Sequence, residues 1–139
     1  MKLSLKPVES VLLLGGGNLL LSIADWCDSE RLPVSVITSP RHGRELLAND
    51  LTLVEELERR SVPHIVVKDI TTSVTMKFVG DLSDTFCLSL GAAWIFQKNI
   101  IADLFKGKLF NLHGTRLPQN RGGGGFSWQI MMGNRLGFC

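Results

Sequence analysis

The chain has 139 residues, of which 45% are hydrophobic, so it is long enough to bury a core of ordinary domain size. Its formal net charge of +2 is too small to indicate a nucleic-acid-binding protein, and no stretch approaches the ~18 to 20 uninterrupted apolar residues of a membrane span. The three cysteines are odd in number and form no Cys-x-x-Cys pair, which argues against a disulfide framework or a zinc site and favours a reducing compartment.

The first residues imitate a secretory signal, because Lys2 and Lys6 precede an apolar run at positions 11–24. Glycines at positions 15–17 and Asn18 interrupt that run, and no small-x-small cleavage site follows before Asp25. We therefore expect a soluble, cytoplasmic protein.

Strand-like and helix-like segments alternate along the chain. Apolar, β-branched runs predict strands at residues 10–14, 34–38, 64–67, 85–90 and 109–113. Helical spacing predicts a helix that Asn18 caps, a second that begins with a Thr52–Glu55 capping box, weaker helices at residues 73–79 and 99–105, and another that begins after the glycines at 122–125. The mixed charges at residues 55–60 predict a solvated face of the second helix.

Short apolar strands separated by helical crossovers indicate an α/β, Rossmann-like fold, with a mostly parallel sheet and helices on both faces. We interpret residues 1–139 as one such domain. Ligands of these sheets bind outside the carboxyl ends of the strands. Three loops are therefore expected to meet at one edge, namely residues 15–18, 91–96 and 114–125.

The glycines at positions 15–17 follow a strand and precede a helix, which is where an NAD-binding fingerprint would lie. Leu20 occupies the third glycine position of that fingerprint, and residues 36–39 lack the acidic side chain that would bind the ribose hydroxyls. An NAD-binding domain is therefore the less favoured alternative. Two other interpretations stay open: a turn without a ligand, or a helix N-terminus that binds an anionic group of an acceptor substrate.

Asn111 and His113 are two residues apart in the last predicted strand, so their side chains should point to the same side of the sheet. A neutral imidazole can take a proton, and an amide N–H can stabilise a developing oxyanion. We interpret them as candidate catalytic residues at the carboxyl end of that strand. The alternative is a structural turn, in which the amide and the imidazole only satisfy the backbone and the glycines that follow form a flexible loop.

Residues 111–122 read NLHGTRLPQNRG and resemble the signature of the folate-dependent formyltransferases, the superfamily of methionyl-tRNA formyltransferase, glycinamide ribonucleotide formyltransferase and the sugar N-formyltransferases. The family pattern is Asn-x-His-x-Ser-Leu-Leu-Pro, followed by Arg/Lys-Gly. Thr115 stands here where the family has Ser and keeps the hydroxyl, whereas Arg116 replaces a Leu. The resemblance extends back to about residue 85, where a strand, a small-residue loop and a helix precede the motif.

The resemblance implies transfer of a formyl group from the cofactor 10-formyltetrahydrofolate to an amine, with Asn111 and His113 as the catalytic residues. The pterin ring would lie against a strand end and the turn after the motif, and the implied cofactor-binding residues are Leu88, Leu90, Gly91, Ala92, Leu117 and Pro118. Trp94 and Phe96 belong either to that pocket or to the core. No metal is implied.

The family's third catalytic residue is an Asp in an Asp-x-Gly setting, and no such motif follows His113 in residues 114–139. We therefore expect residues 1–139 to represent a truncated N-terminal domain that binds a folate but transfers formyl groups poorly by itself. An uncovered last strand would also favour self-association.

The acceptor stays open. Residues 39–44 are short and carry only Arg41, His42 and Arg44, whereas tRNA formyltransferases have a long basic loop at this place. A small amine, such as an amino sugar on a nucleotide, is therefore preferred to tRNA. A non-catalytic, folate-binding remnant of the fold is the other alternative.

Overall fold

The computed structural model describes residues 7–122 and 125–134. Lys2, Lys6, Gly123, Gly124 and Cys139 lie outside these ranges. The described residues form five strands, β1 (Ser10–Gly15), β2 (Val34–Thr38), β3 (His64–Val66), β4 (Thr85–Leu90) and β5 (Leu109–Leu112). The helices are α1 (Asn18–Ser29), α2 (Pro40–Gly43), α3 (Leu53–Arg59), α4 (Ser73–Val79), α5 (Lys98–Asp103) and α6 (Gly125–Met131). The predicted strands are thus confirmed to within one residue at each end.

The strands form one sheet in the order β3-β2-β1-β4-β5, and every neighbouring pair is parallel. The predicted α/β, Rossmann-like fold is therefore confirmed, with a sheet that is parallel throughout. The chain adds β2 and β3 on one side of β1, and then crosses to add β4 and β5 on the other side. The strand order consequently reverses between β1 and β4, which is where doubly wound folds bind their ligands.

Two apolar layers cover the sheet because the side chains of β1 alternate between its faces. Val11 and Leu13 pack in one layer, together with apolar residues of α1 and α3. Leu12 and Leu14 pack in the other layer, with residues of α4, of the loop after β4 and of the segment that follows α5. A strand that is buried on both faces needs an unbroken apolar run, and VLLL provides it.

The structure treats the two predicted helix caps differently. Thr52 and Glu55 form the predicted capping box, with both reciprocal hydrogen bonds present. The prediction that Asn18 caps α1 is wrong: Gly17 occupies the N-cap position, and Asn18 is the first helical residue. The reason is that Gly17 turns the chain into the helix with a φ of +85°, so the cap falls one residue earlier.

Residues 55–60 do not form a fully solvated face, which corrects the prediction from their mixed charges. Glu56 is completely buried, and its carboxylate pairs with the guanidinium groups of Arg59 and Arg60. Arg60 also donates to Asp25 on α1, with its Nε 2.7 Å from Oδ1. Burial of Glu56 is tolerated because both arginines and an asparagine amide satisfy its oxygens. The network joins α3 to α1.

Candidate functional site

The carboxyl ends of all five described strands lie at one edge of the sheet, because the strands are parallel. In the register of β1 with β4, Gly15 lies beside Leu90, and in that of β4 with β5, Leu90 lies beside Leu112. The loops that begin at Gly16, Gly91 and His113 therefore leave the sheet side by side. The sequence predicted this convergence, and it coincides with the reversal of strand order between β1 and β4.

Close packing explains two of the three consecutive glycines after β1. A Cβ on Gly15 would lie 2.0 Å from the carbonyl oxygen of Leu90, and a Cβ on Gly16 would lie 2.7 Å from the Cβ of His42. The Gly16 N–H also donates to the Leu90 carbonyl at 3.4 Å, and the buried Thr38 hydroxyl donates to the Gly15 carbonyl at 2.7 Å. The loop is therefore held against β4, β2 and α2, and these contacts explain Gly15 and Gly16 without a ligand.

Asn111 is an exposed residue of β5 that lies beside Ser89 of β4 in the register. His113 is half-buried and lies one residue beyond the strand, which ends at Leu112 rather than at residue 113 as predicted. Its Nε2 is 3.3 Å from the carbonyl oxygen of Asn120. A carbonyl accepts and cannot donate, so this contact places a hydrogen on Nε2, and in the neutral ring Nδ1 is then the nitrogen with the free lone pair.

The Asn120 carbonyl organises the turn that follows β5. It accepts the hydroxyl hydrogen of buried Thr115 at 2.7 Å as well as the contact from His113, and the Asn120 N–H donates to the Arg116 carbonyl at 2.8 Å. Retaining a hydroxyl at position 115 therefore has a visible structural purpose. Sequence reasoning did not single out Asn120, since its backbone rather than its side chain is used.

The six predicted cofactor-binding residues have different exposures. Leu90 belongs to the buried core and Leu88 packs against it, so these two can offer a ligand mainly their backbone. Ala92 is half-buried, whereas Gly91, Leu117 and Pro118 are exposed, and the Leu117–Pro118 peptide bond is cis. The predicted set thus combines a buried strand end with two exposed segments.

Gly91 provides open access to the backbone at the end of β4. Its φ is +60°, and no atom lies within 4 Å of the position that a Cβ would take. Glycine thus leaves room for a flat group to approach the chain at the switch point.

In the loop after β4, two aromatic side chains pack inward and the aliphatic side chain between them is exposed. Trp94 and Phe96 pack against the core layer and against each other, with ring centroids 6.4 Å apart, and the Trp94 Nε1–H donates to the Lys68 carbonyl. They are therefore core residues in this structure. Ile95, between them, is 90% exposed at the same edge as Gly91. Sequence reasoning missed Ile95, although its place between two inward aromatics is a usable signal.

His42 is a second residue that sequence reasoning did not assign to the site. It lies on α2, and the short distance between its Cβ and the position for a Gly16 Cβ puts it against the glycine loop. Its Nδ1 is buried and has no hydrogen-bond partner among the described residues. The sequence indicated only that His42 contributes to a basic segment.

A cleft of about 570 Å³ lies at the opposite, amino edge of the sheet. Residues before β2 and β3 line it, including Pro33 and Pro63, together with the Asp25–Arg60 ion pair. It contains none of the candidate catalytic or cofactor-binding residues. The cleft and the candidate residues therefore lie at opposite edges of the sheet. We assign the candidate site from the positions of the side chains and strand ends, and not from the cleft.

Neither described cysteine is suited to nucleophilic chemistry. Cys27 and Cys87 are buried free thiols, and burial raises the pKa of both, that of Cys87 to about 11. In the described ranges, no three His, Cys, Asp or Glu side chains gather closely enough to hold a metal ion. Among the described helices, none combines the length and the apolarity that a membrane crossing needs.

Comparison with solved structures identifies the fold. Phosphoribosylglycinamide formyltransferase from Anaplasma phagocytophilum matches with a TM-score of 0.58 and 17% identity, over 92% of this chain and 60% of that one. Glycinamide ribonucleotide transformylase 1 from Geobacillus kaustophilus matches with a TM-score of 0.61 and 16% identity, over 90% of this chain and 69% of that one. No protein-family model and no curated protein sequence matches.

The chain thus spans about 60% and 69% of the lengths of these two structures. Identities this low show the fold alone, and the fold is that of the formyltransferases. The resemblance predicted from residues 111–122 is confirmed at that level.

Proposed function

We propose that this chain supplies the cofactor-binding and proton-transfer residues for transfer of a formyl group from 10-formyltetrahydrofolate to the amine of a small acceptor. The observation that carries the proposal is the juxtaposition of two loops in a formyltransferase fold. Gly91 directly follows β4, and the Asn111–His113 segment spans the end of β5. The two strand ends are neighbours in the register, so both segments lie at the sheet edge next to the reversal of strand order. One loop is suited to hold a flat cofactor, and the other carries groups for proton transfer.

The cofactor would be held by backbone groups of β4 and by apolar contact. When bound, 10-formyltetrahydrofolate would supply an activated formyl carbon. Leu88, Leu90, Gly91 and Ala92 present the strand end, and Leu117 with Pro118 belongs to the turn after the motif. Ile95 is the exposed apolar residue of the first loop, and we include it among the residues that would shield a ring from water.

The side chains of the β5 segment would perform the proton transfer. The acceptor amine forms a bond to the formyl carbon and must lose a proton, which His113 would accept on Nδ1 and later return to the leaving nitrogen of the cofactor. Asn111 would donate an amide hydrogen to the formyl oxygen as negative charge develops there. The contact between Nε2 and the Asn120 carbonyl supports this role, because a hydrogen on Nε2 leaves Nδ1 of the neutral ring to accept the proton.

The carboxyl edge also suits an acceptor that carries a phosphate. Gly17 provides no side-chain cap for α1, so the first N–H groups of this 12-residue helix are available to an anion near the glycine loop. The two similar structures are named for a ribonucleotide acceptor, and an amino sugar nucleotide carries phosphate as well. A small phosphorylated amine is therefore the preferred class.

A tRNA acceptor is the second candidate, and the shape of the loop after β2 favours the smaller one. Pro40–Gly43 forms a short helix capped by Ser39, and the Arg44 side chain folds back onto the Pro40 carbonyl. The segment is compact and does not extend from the sheet edge as a long basic loop would.

Calorimetric titration with a stable folate analogue tests the cofactor half of the proposal, with Gly91→Asn as the decisive variant. Asn tolerates positive φ, so its side chain should fill the open space and weaken binding by about tenfold or more. Gly80→Asn is the matched control, because Gly80 has a φ of +59° and an equally open Cβ position at the end of α4. Equal affinities of the two variants for the folate analogue would show that the cofactor does not bind at this edge of the sheet.

Assays of formyl transfer to a panel of amines, run on a longer chain that also carries the family's aspartate, test the acceptor half. The panel contains an amino sugar nucleotide, glycinamide ribonucleotide and methionyl-tRNA. Transfer to a phosphorylated small amine supports the proposal. Transfer to methionyl-tRNA alone would show that the acceptor is a tRNA and not a small amine. Folate binding without transfer to any amine would identify a non-catalytic folate-binding protein.

A further inference from the structure

Thr115 differs from its neighbours in burial. Among residues 111–122, all of which the structure describes, only Thr115 is buried, with 5% of its surface exposed. Its hydroxyl donates to the Asn120 carbonyl at 2.7 Å. A buried hydroxyl without a partner would be costly, so this bond connects the two ends of the turn firmly.

The backbone of Asn120 is held on both sides of its Cα. Its N–H donates to the Arg116 carbonyl at 2.8 Å, and its carbonyl accepts from Thr115. Threonine is β-branched and has few χ1 rotamers, so the direction of its hydroxyl is restricted as well. A rigid, buried donor therefore sets the orientation of the Asn120 carbonyl.

The His113 imidazole depends on that same oxygen. A carbonyl has two lone pairs, so it can accept from Thr115 and from His113 together. The Nε2 of His113 is 3.3 Å from the oxygen, which is longer than the 2.7 Å bond from Thr115, and the imidazole is only half-buried. The shorter and better protected bond fixes the carbonyl, and the ring adjusts to the carbonyl.

We propose that Thr115 is a positioning residue for His113 and acts through the Asn120 carbonyl. The χ2 torsion of a histidine has broad minima, so contacts at the ring nitrogens decide its orientation. Without the Thr115 hydroxyl the carbonyl can turn towards water, and Nε2 loses a fixed acceptor. The effect on the ring does not depend on any reaction, whereas the catalytic consequence rests on the proposed formyl transfer.

Heteronuclear NMR of the chain, at a pH where the imidazole is neutral, tests the effect on the ring. A ring N–H that donates to a fixed acceptor exchanges slowly with water, so the wild type should give a resolved Nε2–H signal for His113. Thr115→Val keeps the shape of the side chain without the hydroxyl, and it should speed this exchange by about fivefold or more, the scale of one lost hydrogen bond. Thr115→Ser retains the donor and should exchange at nearly the wild-type rate.

Turnover of a longer chain that also carries the family's aspartate tests the catalytic consequence. Thr115→Val should lower turnover by about tenfold, because a base that is out of place transfers protons poorly. The double variant Thr115→Val, His113→Ala should be no slower than His113→Ala alone, since a residue that acts through His113 has nothing left to position. A residue that only stabilises the turn would lower turnover further in the double variant.

Thr75→Val is the matched control, because Thr75 is also a buried threonine with a hydrogen-bonded hydroxyl, but on α4. It should change neither the exchange nor the turnover, and circular dichroism should show that all variants fold. Wild-type exchange in Thr115→Val, a Thr115→Ser variant as impaired as Thr115→Val, or a ring N–H too labile to detect in the wild type would each overturn the proposal. Slow exchange in a longer chain that transfers no formyl group would instead overturn the proposed function alone.

Discussion

Gly15 determines how closely two loops of the candidate site can approach each other. Its missing side chain allows the end of β1 to contact the Leu90 carbonyl, and the neighbouring Gly16 N–H donates to that same oxygen. Gly15 is constrained both by this contact and by its φ of +130°, whereas Gly17 has an open Cβ position and is constrained only by its φ of +85°. The two glycines should therefore respond differently to the same substitution.

Gly15→Ala should lower the free energy of unfolding by about 3 kcal/mol or more, because a Cβ 2.0 Å from a backbone oxygen forces the strand ends apart. Gly17→Ala should cost less, about 1 to 3 kcal/mol, because its φ of 85° and ψ of 173° form a combination that residues with a Cβ rarely adopt. Denaturation in urea measures both values. Similar losses for the two variants would show that packing against Leu90 does not limit the chain at Gly15.

His113 and Asn111 should act on the rate of transfer rather than on stability, since Asn111 is exposed and His113 is half-buried. In a longer chain that also carries the family's aspartate, His113→Ala and Asn111→Ala should each lower turnover by about 100-fold, the usual scale for a general base or an oxyanion donor. Asn99→Ala, at an exposed position of α5, is the control. Turnover near that of the wild type in both variants would reduce the motif to a structural turn.

At the scale of elements, α3 depends on its capping box. Thr52 accepts the Glu55 N–H at 3.3 Å, and Glu55 accepts hydrogen bonds from the Thr52 hydroxyl and N–H at 2.6 and 2.7 Å. Thr52→Ala should lower the free energy of unfolding by about 1 kcal/mol. Thr52→Ser should lower it by much less, because serine keeps the capping hydroxyl. Urea denaturation of the three proteins checks this, and equal losses for Ala and Ser would exclude the hydroxyl as the cause.

The same cap predicts a dependence on pH. Hydrogen bonds from the Thr52 hydroxyl and N–H lower the pKa of Glu55 below its ordinary value of 4.5. Because the folded pKa lies below the unfolded one, this contribution is present above pH 4.5 and is lost as the pH falls through the folded value. The stability difference between the wild type and Thr52→Ala should therefore narrow in acid. A difference that stays constant or widens there would contradict the role of the ionised carboxylate.

At the scale of the whole molecule, the order of the strands places the candidate site. The order in which the strands are added reverses between β1 and β4, and the loops after both strands carry glycines. That arrangement is shared by many α/β proteins that bind nucleotides, so the fold by itself does not decide between a folate and NAD. The local packing shows instead why Gly15 and Gly16 must lack side chains, because a Cβ at either position would collide with Leu90 or with His42.

Thermal unfolding distinguishes the two ligand classes. A stable folate analogue at about 100 times its dissociation constant should stabilise the chain by about 2.7 kcal/mol and raise the melting temperature by several degrees. NAD at millimolar concentration should leave the melting temperature unchanged. Protection by NAD and not by the folate would favour a dehydrogenase-type domain instead.

Local patterns in the sequence were sufficient to predict the strands, the capping box of α3 and the location of the Asn111–His113 segment at a strand end. Each depends on residues close together in the chain, where hydrophobic periodicity and short-range hydrogen bonds dominate. The alternation of strands and helices also predicted the parallel sheet, since crossovers of this kind leave few topologies.

Only the tertiary structure decided the features that depend on distant segments. The burial of Glu56 follows from partners that include Asn49 and Arg60, and the packing of Gly15 follows from β4. A charge pattern or a run of glycines has the same sequence whether it is buried or exposed. Its meaning is determined by the atoms that long-range packing brings within a few ångströms, and those contacts carry no local signal.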